Sequence, residues 1–317
     1  MRILAVDDDP TFREILAITL RELSQKDLTL ASSGEQALEI IAQAAKPFDC
    51  ILLDIQMTGM SGIEVCGSIR RFEIYRQTPI IMITSMSSKD FVDAAFMAGA
   101  TDYLTKPLDR LEMRARLGMA ERLHAELERN QALVAQARAS DLAPRLRIDF
   151  EAPMLIPGVS TCIEYLALEN YLLTLGFSRQ IGLAAFSIHI TNAGTIFSVA
   201  EPSVFVEMLK DVATIIADEL KADKRLIAYA GSGTFVALVS RLIAHELEDL
   251  EDAINIALMD FESIYASEGL PTPKVVVSEL VRSSLASLGS PTLILNKALA
   301  FAQAPTGPKR NARRFVS

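Results

Sequence analysis

Four aspartates, two hydroxyl residues and a lysine fall where this 317-residue chain could gather acid chemistry. Asp7, Asp8 and Asp9 follow the apolar run RILAV, Asp54 ends CILLD, Thr84 and Ser85 end PIIMITS, and Lys106 ends DYLTK. Each run reads as a short buried strand, and in a parallel sheet all of these ends lie on one edge, so the side chains converge. Several carboxylates at one point repel one another unless a divalent cation sits among them, and hard oxygen ligands suit magnesium. A hydroxyl and an ammonium beside that cation hold the oxygens of a phosphoryl group. The chemistry indicated is magnesium-assisted phosphoryl transfer to or from an aspartate. Any one of these aspartates alone reads as a helix cap or a solvated loop residue. Asp9, directly before Pro10, reads as an N-cap.

The elements that must position these residues alternate from residue 2 to about 119. RILAVD, DLTLAS, DCILLDI, PIIMITS and DYLTK read as strands, with amphipathic helices between them. Such alternation with short connections predicts a parallel sheet covered on both faces, with ligands at the carboxyl ends of its strands. From Leu108 to about Ala139 there is no proline and only Gly118, which predicts one long helix. Met113, Ala120, Leu127 and Val134 fall on one heptad position and Leu123 and Ala137 on another, a pattern suited to self-pairing as well as to packing on its own domain. Pro144, Pro153 and Pro157 punctuate a linker. A second α/β unit follows, and its stretch AYAGSGTFVALV predicts two strands joined at Gly231–Thr234, hence a mixed sheet with an antiparallel pair. This turn, where Ser232 and Thr234 occupy places suited to a carboxylate, carries no charge. One helix is expected over LIAHELEDLEDAINIALMDFESIYA and one strand over PKVVVSEL.

Half of the residues are hydrophobic and 22% are charged, which predicts a folded protein of about two domains. The net charge of −9 argues against a general nucleic-acid or anionic-membrane surface, and the basic group Lys309, Arg310, Arg313 and Arg314 reads as a solvated tail. The first residues enter a strand directly, without the pattern of a targeting peptide, and no apolar run reaches the roughly 18 residues that would span a bilayer. A cytoplasmic location without membrane contact is expected. Cys50, Cys66 and Cys162 lack paired spacing and read as reduced core thiols; His124, His189 and His245 are too scattered for a metal cluster.

ILAVDDDPTFREIL, FDCILLDIQMTGMSGIEV, TPIIMITS and GATDYLTKPL resemble, in order and spacing, the receiver domain of two-component response regulators over residues 1–119. The resemblance implies a flavodoxin-like, doubly wound parallel fold. It makes Asp54 the phosphoacceptor, Asp8 a direct magnesium ligand, Asp7 a partner of the metal's waters, and the Gln56 main-chain carbonyl a further ligand. Thr84 then binds the phosphoryl group, Lys106 pairs with it, and Tyr103 is the aromatic switch. It also implies a cis bond between Lys106 and Pro107. Thr58 departs from the family's usual proline, a change expected to affect loop stiffness without removing a chemical group.

After residue 158 the element order resembles the GGDEF domain of diguanylate cyclases, through TCIEYLALENYL, LAAFSIHIT, AGSGTFVALV and LNKALAFAQ. A cyclase needs carboxylates to hold two magnesium ions over a triphosphate. Here the family's metal aspartate falls at His189, its acidic pair at Gly233 and Thr234 beside Ser232, its guanine-reading asparagine near Phe197, and its lysine at Gln303. The inhibitory R-x-x-D falls on Ala222–Arg225 and is missing. A neutral histidine cannot replace a carboxylate for magnesium.

The expected organisation is a receiver domain (1–119), a connecting helix and linker (120–154), a degenerate GGDEF-like domain (155–305) and a basic tail (306–317). The expected protein is a response regulator, phosphorylated by a histidine kinase or phosphotransfer protein, that signals as a homodimer through a non-enzymatic output domain contacting another protein. Two alternatives stand beside it. One is an active cyclase or other nucleotidyl enzyme, for which Asp211, Asp218 and Glu219 are available although they fall on a helix face and read as solvated, and the other is a module that binds GTP or cyclic di-GMP without turnover. A DNA-binding output is disfavoured by the acidic charge and by the lack of a helix-turn-helix pattern.

Overall fold

The computed structural model describes residues 1–25, 27–85, 89–139, 148–159, 161–180, 182–220, 225–240, 249–282 and 291–303. The first unit alternates β1 (Arg2–Val6), α1 (Pro10–Glu22), β2 (Asp27–Ala31), α2 (Gly34–Gln43), β3 (Cys50–Asp54), α3 (Gly62–Ile69), β4 (Ile80–Thr84), α4 (Lys89–Met97), β5 (Asp102–Thr105) and α5 (Arg110–Ala139). Its strands pair in parallel in the order β2-β1-β3-β4-β5, with Ile3 beside Cys50, Ile51 beside Ile80 and Ile81 beside Asp102. β3 and β4 are buried along their whole length, as continuous apolar runs in a sheet covered on both faces must be. Helix starts follow local chemistry. The Asp9 carboxylate accepts from Thr11 N–H, and Ser61 and Glu64 form a reciprocal capping box.

Helix α5 runs unbroken for 30 residues. Met113 and Ala120, two of the heptad positions, are buried with Leu117 in the receiver's own core. The side chains of Leu127, Val134 and Ala137 lie outside the described residues.

The second unit contains α6 (Tyr165–Gln180), β6 (Leu183–Ile190), α7 (Ala193–Val199), α8 (Pro202–Glu219), β7 (Leu226–Tyr229), β8 (Thr234–Ser240), α9 (Leu250–Met259), α10 (Glu262–Ser267), β9 (Val275–Val277), β10 (Val281–Arg282) and α11 (Leu293–Gln303). Its central order is β10-β6-β8-β7, with β9 also on β6. All four ladders are antiparallel, and the parallel component is the isolated bridge between Cys162 and Ile227. Alternate residues of β6 face opposite ways. Ala184, Phe186 and Ile188 join the core under α8 and α9, whereas Leu183 and Ala185 join α6 and α11.

Three expectations change. The helix expected to end at Ala266 is divided at Asp260–Phe261, where Phe261 turns inward beside Tyr265; its first residues, with His245, lie outside the described residues. The strand expected over 273–280 is interrupted between β9 and β10, where Ser278 bonds to β6 through N–H to the Ser187 carbonyl at 2.9 Å. The stretch 148–154, expected as linker, belongs to the second unit: Ile148, Phe150 and Met154 pack on its core.

Candidate functional site

At the carboxyl edge of the parallel sheet, Asp7, Asp8 and Asp54 each offer a carboxylate oxygen, and these atoms lie within 4.8 Å of one another. Lys106 Nζ reaches between them, 2.7 Å from Asp7 Oδ2 and 3.3 Å from Asp54 Oδ1. Asp7 is 1% exposed and Asp54 4%, so both carboxylates meet in a partly dehydrated place. Burial, then the charge of Asp7, pushes the Asp54 carboxyl up to about 6 against the pull of Lys106. Asp7 is fixed by Asp9 N–H at 2.9 Å. Gly62 is needed here, because a Cβ at that position would stand 2.0 Å from the Asp54 carbonyl oxygen and push α3 away from β3.

Thr58 has a role that the sequence did not disclose. Its N–H donates to Asp8 Oδ2 at 2.8 Å, and this bond is the main cause holding the Asp8 carboxyl below its ordinary range. Proline has no N–H, so the departure at Thr58 adds a donor to the site as well as altering the loop. Phe12 was also missed. Lys106 Nζ sits 3.8 Å from its ring centroid, a cation–π contact that helps aim the ammonium.

Thr84 ends β4 fully buried, and its carbonyl accepts from Lys106 N–H at 2.8 Å. Ser85 Oγ lies 3.3 Å from Gln56 Oε1. Gln56 is exposed and lines a cleft of about 450 Å³ with Asp8, Met57, Thr58 and Phe91. Tyr103 is buried in β5, two strands away from Asp54. The Lys106–Pro107 bond is cis. Asp9 takes no part in the carboxylate cluster and caps α1.

The second candidate region lies at the hairpin. Gly231, Ser232 and Gly233 all have positive φ, at 93°, 51° and 71°. His189 and Thr234 are cross-strand partners, and His189 Nδ1 lies 2.9 Å from Thr234 Oγ1. Burial lowers the pKa of His189, which favours its neutral form. Ser232 N–H donates to the Phe150 carbonyl at 2.6 Å, and Met154 bridges to Tyr229, so the segment that opens the second unit crosses over this turn. The Phe150 and Phe197 rings are 5.0 Å apart, and Phe197 is 5.0 Å from Phe205.

The structure thus brings His189, Ser232, Gly233 and Thr234 together and adds Phe150. Phe150 had a signal in the sequence: Ile148, Phe150, Met154 and Ile156 recur at even spacing, as in a half-buried extended segment. Asp211 accepts from Tyr265 Oη at 2.9 Å, a structural bond within the helical layer. Among the described residues, the only group of three or more potential metal ligands is Asp7, Asp8 and Asp54. Arg225 is buried, the rest of Ala222–Arg225 lies outside the described residues, and so does the Gln303 side chain. No helix of the described residues is long and apolar enough to cross a membrane.

Comparison with known proteins agrees with the geometry of the first unit. Residues 3–118 match the response regulator receiver domain family. The chain is 38% identical over 109 residues to the signal transduction histidine-protein kinase BarA of Shigella flexneri, covering 34% of this chain and 12% of that protein. It is 36% identical over 115 residues to the transcriptional regulatory protein YvrH of Bacillus subtilis, covering 36% of this chain and 46% of that one. Among solved structures, the receiver domain of sensor histidine kinase PA1611 from Pseudomonas aeruginosa, with magnesium in its active-site cleft, is 29% identical over 39% of this chain and 97% of that one, with a TM-score of 0.35. The chain therefore spans about an eighth of the kinase's length and about half of the transcriptional regulator's. Residues 3–118 are a response regulator receiver domain, the phosphoryl-receiving module of two-component signalling.

Proposed function

We propose that this chain is a response regulator in which Asp54 accepts a phosphoryl group from a phosphohistidine of a histidine kinase or phosphotransfer protein. The observation that carries this reading is the meeting of Asp7, Asp8 and Asp54 around Lys106. The donor set fits magnesium: three carboxylate oxygens lie close together, with the Gln56 main-chain carbonyl in the neighbouring loop as the further ligand. When bound, magnesium supplies positive charge to the phosphoryl oxygens. A carboxyl titrating near 6 is largely ionised at neutral pH, so Asp54 attacks phosphorus as a carboxylate while the bond from phosphorus to the histidine nitrogen breaks. Lys106 and Thr84 then face the transferred oxygens, and Tyr103 responds along β5. Ile15 and Ile18 lie half exposed on α1, the helix that carries Phe12 onto Lys106, and offer an apolar strip to a phosphodonor protein.

The second unit acts as a degenerate GGDEF-like output domain that works by protein contact rather than by turnover. Supporting this are the hydrogen-bonded His189–Thr234 pair where cyclases place carboxylates and the Phe150–Phe197–Phe205 cluster beside the turn. A 30-residue α5, about 45 Å long, extends well past the receiver core residue Ala120, which suits self-pairing in a homodimer. Protein rather than DNA is the partner, in keeping with a net charge of −9.

The test has two arms. Incubation with acetyl phosphate and magnesium should give a phosphoryl adduct by intact mass that Asp54→Asn lacks; an equal adduct in that variant would refute the acceptor assignment. Incubation of the activated protein with GTP and magnesium should yield no cyclic di-GMP. Product formation would establish the alternative, a phosphorylation-gated cyclase, whereas nucleotide-dependent stabilisation without product would make the second unit a nucleotide sensor.

A further inference from the structure

Where the two units meet they enclose a cavity of about 270 Å³. Its receiver wall is the end of α3 and the turn from α4 to β5, with Arg70, Met97 and Gly99. The opposite wall is residues 155–159 and 162–167, which lead into α6 and include Ile156, Val159 and Glu164. Helix α6 holds the walls together. Tyr171 Oη donates to the Asp93 carboxylate of α4 at 2.7 Å, and Asn170 Nδ2 donates to the Thr101 carbonyl at 2.9 Å. Junctions between units are a favoured place for small-molecule sites, and this volume lies just under the roughly 300 Å³ at which such sites begin. It is space for about nine waters.

Most of the lining is apolar, and two opposite charges share it. Arg70 is largely committed. Its Nε donates to the Gly99 carbonyl at 2.8 Å, Nη1 to the Tyr75 and Thr78 carbonyls at 2.7 Å each, and Nη2 to Thr101 Oγ1 at 3.3 Å. A guanidinium carries five N–H groups, so one is left over. Glu164 is uncommitted. Among the described residues no hydrogen bond or ion pair reaches its carboxylate, although the residue is half-buried. Burial pushes its carboxyl up, and the charge of Arg70 pulls it back. A carboxylate drawn out of water without a donor is costly, and a ligand that brings the donor recovers that cost.

We propose that this cavity binds a small neutral molecule whose polar edge is a carboxamide or lactam. Its N–H donates to Glu164, its carbonyl accepts the spare N–H of Arg70, and its apolar body lies among Met97, Ile156 and Val159. Charge decides the class. Arg70 and Glu164 already offset each other, so an ammonium or carboxylate ligand would carry a third charge into an apolar space. An amide edge instead presents one donor and one acceptor side by side. Arg76, exposed at the rim, keeps its charge in water. The site shares no residue with the Asp7, Asp8 and Asp54 cluster, so the proposal stands apart from the reading of Asp54 as phosphoacceptor.

Calorimetric titration of the 317-residue chain with benzamide, benzylamine, benzoate and toluene keeps the ring and varies the polar edge. Benzamide should bind with a dissociation constant at or below about 1 mM, which a molecule of that size can supply. The other three should bind at least about tenfold more weakly. Glu164→Leu keeps the bulk, removes the acceptor and should weaken benzamide about tenfold or more. Ala98→Leu adds bulk to the receiver wall and should abolish binding; if it does not fold, Glu164→Leu decides alone. Asp54→Asn should bind benzamide as the wild type does, whatever the outcome for the phosphoacceptor. Benzamide affinity that survives Glu164→Leu would place the probe elsewhere and overturn the proposal. Equal binding of benzamide and toluene, or no benzamide binding, would make the cavity a packing space and overturn it too. Tighter binding of benzylamine or benzoate would overturn the neutral class of ligand.

Discussion

Replacing Asp54 by asparagine should make the metal-free protein more stable at neutral pH, although it removes the proposed reactive group. The folded structure raises the Asp54 carboxyl from 3.8 to about 6, chiefly by burial and then through Asp7. The ionised form is therefore the one that folding penalises. Below pH 3.8 both folded and unfolded states hold the proton and the penalty vanishes; it grows as pH rises and is complete above the folded value near 6. A rise of about two pKa units corresponds to about 3 kcal/mol. Asparagine is isosteric and carries no charge, so Asp54→Asn should gain a stabilisation of that order at pH 7.5 and only a small part of it at pH 4. In a chain of this size that amounts to an increase on the order of 5 °C in melting temperature. Calorimetric melting of both proteins with chelator, at the two pH values, measures it. Magnesium should narrow the gap at pH 7.5, because it stabilises the carboxylate form alone. A melting-temperature difference that does not change with pH, or an asparagine variant less stable than wild type at pH 7.5, would refute the assignment of strain to the ionised carboxylate.

Magnesium affinity itself should fall as pH drops through about 6, where Asp54 takes up its proton, and calorimetric titrations across that range should show the loss while Asp54→Asn shows a flatter profile. Thr58→Pro should raise the Asp8 carboxyl pKa, read by carbon NMR of the metal-free protein, because the N–H that lowers it is gone; Thr58→Ser should keep the wild-type value. Gly231→Ala should destabilise the second unit by at least about 1–3 kcal/mol in denaturant melts. Its Cβ would meet the Glu151 carbonyl oxygen at 2.0 Å on a backbone with φ of 93°. A variant as stable as wild type would show that residues 149–152 do not lie across the turn.

The first unit was legible because its information is local and repeated. Each strand carries its apolar run and ends in its polar residue, so Asp7, Asp54, Thr84 and Lys106 could be placed on one sheet edge from alternation alone. Residues whose role comes from main-chain atoms or from distant partners stayed hidden. Thr58 acts through an N–H that every residue but proline has, and Phe12 looks like any apolar position on α1 until Lys106 lies against it. The same limit hid the division between α9 and α10, because helical spacing continues through Asp260 and Phe261 and only the inward turn of Phe261 interrupts it.

By itself, then, the sequence determined which residue types end each strand, where the long α5 runs, and that the Gly231–Thr234 turn carries no carboxylate. The tertiary structure alone decided that three carboxylates and one ammonium meet within a few ångströms, that Phe150 returns to the turn of the second unit, and that α6 rests on α4 and β5 of the receiver. The physical reason is one of range. Periodicity and caps act over a few neighbouring residues, whereas Asn170 and Thr101, 69 positions apart, become partners only when two separately patterned units bury their faces in one core.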